Sequence, residues 1–234
     1  MQNQPTSLPV RRQPYAVRRS LASSVLVGCG AFLGYGALAL EASDWPQYGG
    51  PKGDFVASGV GLAKSWPEAG PPRLWEQAIG GGYSSIVSDG KRLYTMYRVP
   101  ADQIEGRADG QGQEAVVALD PASGRRLWQQ VYEAPVDPKE PSNDLRYGRG
   151  PNSTPLLVGD RLYTLGFTGR LHCLAAASGE VLWSHDLWRK FKVAMPYFGH
   201  ASSPIRYGAS LIVLAGGAMA FDLESGDLLW DNWD

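Results

Sequence analysis

Short apolar runs separated by turn-forming residues recur along the chain from about residue 84 onward. The runs at 116–119 and 127–129, for example, flank the segment Asp-Pro-Ala-Ser-Gly, which is typical of a hairpin loop. Beyond residue 42, no stretch keeps an apolar residue every three or four positions for three turns. The pattern therefore predicts short strands joined by tight hairpins and no long helix.

One hairpin unit occurs three times, at 118–128, 173–183 and 220–230. Each copy has Gly at its seventh position and ends in Trp, and the tryptophans are 55 and 47 residues apart. A second unit, an apolar run followed by a Gly-containing turn and another strand, precedes each copy; it occupies 84–95, 153–164 and 202–213. Two hairpins per repeat make four strands, and four-stranded units repeating near 50 residues predict a β-propeller.

The predicted fold class is all-β, with four-stranded antiparallel propeller blades. About three blades are predicted, at 84–131, 153–185 and 202–232. The three tryptophans, Trp128, Trp183 and Trp230, should occupy equivalent buried positions between stacked sheets. The glycines of the repeat should close the loops with positive φ. Asp120 and Asp222 are predicted to cap turns and not to catalyse, because Ala175 replaces them in the second copy.

Three blades are too few to close a ring, because propellers have about four to eight. We therefore expect an incomplete ring, from the N-terminal part of a longer protein or a truncated reading frame. The segment 43–83 precedes the blades, and 73–77 within it is predicted as an outer strand of the kind that completes a last blade. Residues 43–234 expressed alone should be poorly soluble or oligomeric.

The first 42 residues have the composition of a secretory signal. Four arginines precede an apolar stretch at 21–40, and candidate cleavage sites follow at 37–39 and 40–42. An uncleaved membrane anchor is the alternative, since 21–40 is about long enough to span a bilayer. A twin-arginine signal at 18–21 and lipidation at Cys29 also stay open. The predicted location is periplasmic or secreted, with a membrane anchor at 21–40 as the alternative.

Charge and cysteine content narrow the possible partners. The chain has a net charge of −1, which becomes more negative without residues 1–42. Nucleic-acid binding, which needs a basic face, is therefore not predicted. The basic and aromatic cluster at 188–192 is interpreted as a surface loop with buried aromatics, with an anionic partner as the alternative. Cys173 would be alone after cleavage at 42, so it is interpreted as a small buried apolar residue.

The repeated phrase A-x-D-x-x-x-G-x-x-x-W resembles the blade motif of the pyrroloquinoline-quinone-like β-propeller repeats. The segments 44–54, 71–75 and 82–85 are also similar to secreted members of this group, so the resemblance covers roughly 44–234. That superfamily includes quinoprotein dehydrogenases and the propeller lipoprotein of the outer-membrane barrel assembly machinery. The resemblance thus implies either an enzyme or an interaction protein.

The loops that enter each blade, at 82–85, 149–154 and 198–203, form the candidate site. In a propeller such loops converge beside the central channel, so Tyr83, Arg149, Asn152 and His200 are the candidate ligand-binding residues. Alternatively, the Ser and Thr residues of these loops tie neighbouring blades together. The other histidines, His172 and His185, are interpreted as structural. No nucleophile elbow, phosphate loop or paired-His spacing is present, so no catalytic residue and no metal site are predicted.

The favoured function is an extracytoplasmic scaffold for binding or assembly, with a protein or peptide partner on the entry-loop face and no cofactor. The alternative is a quinoprotein alcohol or sugar dehydrogenase. The resemblance implies that such an enzyme would use pyrroloquinoline quinone and calcium, a Cys-Cys pair, and Glu, Asn and Asp residues. This chain has no Cys-Cys pair and no carboxylate in the three entry loops.

Overall fold

The computed structural model describes residues 44–57, 59, 63–104, 112–135 and 150–232. In these ranges the regular structure consists of twelve strands, one short α-helix and one 3-10 turn. The first sheet contains β1 (Val87–Ser88), β2 (Leu93–Arg98), β3 (Gln113–Leu119) and β4 (Arg126–Glu133), with the 3-10 turn at Ala101–Gln103. The second contains β5 (Leu156–Val158), β6 (Arg161–Leu165), β7 (Arg170–Ala175) and β8 (Val181–Asp186), followed by α1 (Leu187–Phe191). The third contains β9 (Ile205–Tyr207), β10 (Ser210–Leu214), β11 (Ala218–Asp222) and β12 (Leu228–Asp231).

Each sheet is an antiparallel meander in which consecutive strands are neighbours. The three sheets also share one register. Trp128 lies opposite Ala118, Trp183 opposite Cys173 and Trp230 opposite Ala220. A register shift follows each of these pairs on the third strand of the blade. The prediction of about three four-stranded blades of an incomplete propeller is confirmed.

Two of the apolar clusters among the described residues lie between successive blades, and a third, which contains Tyr97 and Val117, belongs to the first blade alone. One apolar cluster combines Tyr94 and Met96 of the first blade with Leu162 and Leu174 of the second. A second cluster joins the second blade to the third and contains Cys173, which is fully buried as predicted. Each blade is therefore stabilised mainly by the sheet stacked against it.

Tryptophan side chains lock each blade to the turn of the next one. Their indole N–H groups donate to backbone carbonyls of the following blade: Trp75 to Pro121 at 2.8 Å, Trp128 to Ala176 at 2.9 Å and Trp183 to Leu223 at 3.4 Å. The rings lie over glycines with positive φ: Gly124 at 69°, Gly179 at 76° and Gly226 at 74°. We call each such contact a Trp–Gly lock.

Two predictions about these tryptophans are wrong in part. Trp230 has the predicted register, but its side chain is 48% exposed, because no further turn covers it among the described residues. The segment 73–77 forms no strand. Trp75 nevertheless makes a Trp–Gly lock with the first blade. This segment therefore provides the tryptophan without pairing as a strand.

The repeated aspartates cap their turns, as predicted. Oδ1 of Asp120 accepts the backbone N–H groups of Ala122 and Ser123 at 3.0 and 2.8 Å, and Asp222 accepts equivalent bonds. Hydrogen bonds from Ser123 lower the pKa of Asp120. In the second blade, where Ala175 replaces the aspartate, the Gly179 N–H donates to the Ala175 carbonyl at 2.8 Å. The turn therefore closes without an aspartate, through this backbone bond and a bond from the Glu180 N–H to Oγ of Ser178 at 3.3 Å.

Replacing Gly179 by alanine should destabilise the protein more than replacing Gly159. Both glycines have positive φ, which costs a residue with a Cβ about 1–2 kcal/mol. A Cβ at Gly179 would also lie 2.5 Å from Trp128, whereas nothing lies within 4 Å of one at Gly159. We expect an extra loss of about 1–3 kcal/mol for Gly179→Ala in urea unfolding. Equal losses would contradict the Trp–Gly lock.

The basic and aromatic cluster at 188–192 differs from its prediction as a loop, because most of it forms α1. Asp186 caps the helix by accepting the Arg189 N–H at 2.9 Å, and Lys192 ends it in the left-handed conformation. Phe191 packs against the core between the second and third blades, but Trp188 is 56% exposed.

No helix in the described ranges is long and apolar enough to cross a membrane. The predicted signal or anchor at 1–42, including 21–40, lies outside the described residues.

Candidate functional site

The strand directions place all entry loops on one face of the blades. Because the strands of each blade alternate in direction, its entry loop and the connection between its second and third strands are on the same side. The turns of the Trp–Gly locks are on the opposite side. We call the side with the entry loops the entry face.

Three equivalent positions of the repeat meet at a groove on the entry face. Tyr83, Asn152 and Ala201 each stand directly before the two Ser or Thr residues that lead into the first strand of their blade. All three line a cavity of about 420 Å³. Tyr48 and Ile205 complete the apolar part of its wall. Tyr83 is 65% exposed, so the groove presents aromatic surface to solvent. The structure thus brings together two of the predicted site residues.

The backbone of the entry loops is held rigidly between blades. The Tyr83 N–H donates to the Pro151 carbonyl at 2.8 Å, which joins the first two loops. The Asn152 side-chain amide donates to the Phe198 carbonyl at 2.8 Å, which joins the second and third loops. The groove is therefore preformed.

Hydroxyl groups two residues further along the chain also join neighbouring entry loops. The Ser85 N–H donates to Oγ1 of Thr154 at 3.2 Å, and the Thr154 N–H donates to Oγ of Ser203 at 2.9 Å. The first and second blades thus each donate a backbone N–H to a hydroxyl of the following blade. These bonds support the interpretation that Ser and Thr in the loops tie neighbouring blades together.

Of the other two predicted site residues, one lies outside the groove and the other falls outside the described residues. His200 lines a neighbouring cavity of about 500 Å³, together with Gly216, Gly217 and Asn232. Its ring is almost fully buried, neither ring nitrogen has a hydrogen-bond partner, and burial lowers its pKa to about 4. Arg149 lies outside the described residues.

The remaining histidines are structural, as predicted. The His172 ring lies 4.5 Å from the Tyr132 ring, and burial lowers its pKa to about 4. Nε2 of His185 donates to the Gly226 carbonyl of the third blade at 2.6 Å, which fixes the tautomer. Nδ1 of His185 is then the acceptor for Lys190 Nζ at 3.2 Å.

A buried carboxyl group that the sequence analysis missed lies between the first two blades. Oε2 of Glu114 accepts the Tyr132 hydroxyl at 2.8 Å, and both oxygens lie 3.2 Å from the Phe167 N–H of the second blade. Arg98 Nη1 is 4.0 Å from Oε1. Burial raises the pKa of Glu114 to about 7, although these donors oppose the shift. The sequence signal is a charged residue within the apolar strand 113–119, opposite Arg98.

The described entry loops do not fit a calcium ion with a quinone. Calcium prefers six to eight oxygen ligands that include carboxylates, and the only oxygen ligands in these loops are hydroxyl, amide and backbone groups. Nowhere in the described ranges do three His, Cys, Asp or Glu side chains cluster around a possible metal position.

Comparisons with known proteins point to one repeat family. The family model described as outer membrane protein assembly factor BamB matches residues 112–233. No curated protein matches the chain. Among solved structures, BamB from Moraxella catarrhalis is 19% identical with a TM-score of 0.45, covering 69% of this chain and 43% of that one. Quinohemoprotein alcohol dehydrogenase from Comamonas testosteroni is 20% identical with a TM-score of 0.43, covering 66% and 21%.

The chain spans less than half the length of these two solved chains. The family match includes the whole outer hairpin of the first blade and all strands of the other two blades. It covers more than half of the chain, and it confirms the resemblance to pyrroloquinoline-quinone-like repeats that the phrase ending in Trp indicated. The chain belongs to the family of the outer membrane protein assembly factor BamB.

Proposed function

We propose that this protein acts outside the cytoplasm as a scaffold that binds a protein or peptide partner and does no chemistry of its own. The family description as an outer membrane protein assembly factor supports a role in assembly. The observation that carries the proposal is the groove on the entry face, where equivalent positions of three blades converge.

The surface chemistry of this groove suits a polypeptide. Tyr48 and Tyr83 are 56% and 65% exposed, and Ile205 is 52% exposed. Aromatic residues with exposed rings and polar tips are enriched in protein interfaces. Because the loops are already tied by hydrogen bonds, the groove would lose little conformational entropy when a partner binds.

The proposed location is the periplasm, with possible membrane attachment through 21–40. The composition of residues 1–42 and the family description both support it. We propose no resident cofactor, because hydroxyl groups of the described entry loops already serve hydrogen bonds between blades and no carboxylate is among these loops.

Photo-crosslinking from the groove should capture a component of outer-membrane assembly. A benzophenone amino acid replacing Tyr83 should form an adduct in cells, because this side chain is exposed at the groove. The same replacement of Glu180, exposed in the second blade's turn on the opposite side, is the control. Adducts of equal yield from both positions, or none from Tyr83, would refute the proposed partner site.

The dehydrogenase alternative has its own assay. The full-length protein is mixed with pyrroloquinoline quinone and calcium, and dye reduction by alcohols is recorded. We expect no turnover above that of the additives alone. Turnover that requires the protein and both additives would overturn the scaffold proposal.

A further inference from the structure

Another cavity, separate from the groove and from the cavity beside His200, lies on the entry face beside α1. Its volume is about 530 Å³, within the usual range for small-ligand sites. Pro135, Trp188 and Met195 provide its apolar walls. Its polar lining comes from Thr168, Arg170, Asp186 and Arg189. The cavity therefore has an apolar part and a charged part.

The charged part carries an excess of positive charge. Arg170 Nη1 lies 3.3 Å from Oδ2 of Asp186, and Arg189 Nε lies 3.4 Å from the same oxygen. Two guanidinium groups thus share one carboxylate, which leaves one positive charge uncompensated within the cavity lining. A single negative charge on a ligand would balance it.

The walls of the cavity are held in place without a ligand. Leu187 at the start of α1 is fully buried, and its N–H donates to the Gly169 carbonyl at 3.0 Å. Asp186 caps the helix through the Arg189 N–H. Trp188 is therefore presented on a fixed helix while 56% of its surface stays exposed. An indole in this position can cover the apolar body of a ligand.

We propose that this cavity binds a small organic carboxylate with an apolar body. The guanidinium pair recognises the carboxylate, and Trp188 with Met195 covers the apolar part. A monoanion matches the single uncompensated charge better than a dianionic phosphate does. This site is separate from the groove and does not depend on the proposed scaffold function.

Binding of 4-phenylbutyrate to the full chain, measured by isothermal titration calorimetry, tests the proposal. We expect the neutral 4-phenylbutyramide to bind about tenfold more weakly, the usual cost of losing one charge-assisted hydrogen bond. Arg189→Gln should also weaken 4-phenylbutyrate binding about tenfold. The Arg189 side chain is 79% exposed, so this change should leave the fold intact.

Lys190→Gln is the matched control, because it removes one positive charge from the same helix but outside the cavity lining. It should leave the affinity unchanged. Equal affinity for the acid and the amide, equal losses for Arg189→Gln and Lys190→Gln, or no binding of 4-phenylbutyrate at millimolar concentration would overturn the proposal. Inorganic phosphate binding as tightly as 4-phenylbutyrate would also overturn it, since the apolar walls would then play no part.

Discussion

Replacing Trp183 by alanine should lower the free energy of unfolding by about 3–5 kcal/mol, as other truncations of large aromatic core residues do. The Trp183 ring packs against the core between the second and third blades and lies over Gly226. It also donates a hydrogen bond to the Leu223 carbonyl. Removing the ring therefore opens a cavity and breaks the Trp–Gly lock at once. Urea unfolding of the full chain, followed by circular dichroism, measures the loss.

Trp230→Ala is the control, because Trp230 has the same register in its blade but is 48% exposed. Within the described structure no turn covers its ring, so we expect a loss below about 1 kcal/mol. Similar losses at Trp183 and Trp230 would show that the tryptophans act within their own blades. The Trp–Gly lock would then not be what joins one blade to the next.

Glu114→Gln should remove the loss of stability that Glu114 causes as the pH rises from about 4.5 to 7. Burial raises the pKa of Glu114 from 4.5 to about 7, so the folded protein keeps this proton where the unfolded chain loses it. The stabilisation is complete below pH 4.5 and is lost as the pH rises through 7. The loss is on the order of 3 kcal/mol. Glutamine keeps the shape of the side chain but does not ionise.

The stability difference between wild type and Glu114→Gln isolates this effect from the histidines. Burial lowers the pKa of His172 and His200 to about 4, so their contribution is present above pH 6.5 and lost as the pH falls through 4. In the wild type, the stability contributed by Glu114 falls as the pH rises, while the stability contributed by the histidines increases. In Glu114→Gln, only the contribution of the histidines remains. Thermal melts across pH 4–8 provide the comparison, with the exposed residue change Glu180→Gln as control. Parallel profiles for wild type and Glu114→Gln would contradict the assignment.

The fold was predictable because the repeat encodes local structure in short segments. The Asp and Gly positions of the phrase specify a closed turn, and the Trp position specifies the contact with the following blade. Trp75 shows where this reasoning stops. Its segment resembles an outer strand in sequence, yet it makes the lock without forming a ladder. Strand pairing depends on a neighbouring strand, which local sequence does not specify.

The candidate site was predictable only where repeat positions coincide. Tyr83 and Asn152 occupy the same position in successive blades, so the groove brings them together. His200 lies one residue earlier in its repeat, and in extended backbone neighbouring side chains point to opposite sides. It therefore lines the adjacent cavity. Glu114 was missed because the sequence shows neither its burial nor its contact with Phe167 of another blade.

The Trp–Gly lock also has an evolutionary consequence. Each lock uses one tryptophan from a blade and one glycine turn from the next, so the contact surface is the same at every junction. After a repeat is duplicated or deleted, the blades that become neighbours would still contact each other through a tryptophan and a glycine turn. Blade number can therefore change by recombination within the gene without a new interface having to arise, as in other proteins whose repeats contact only their neighbours.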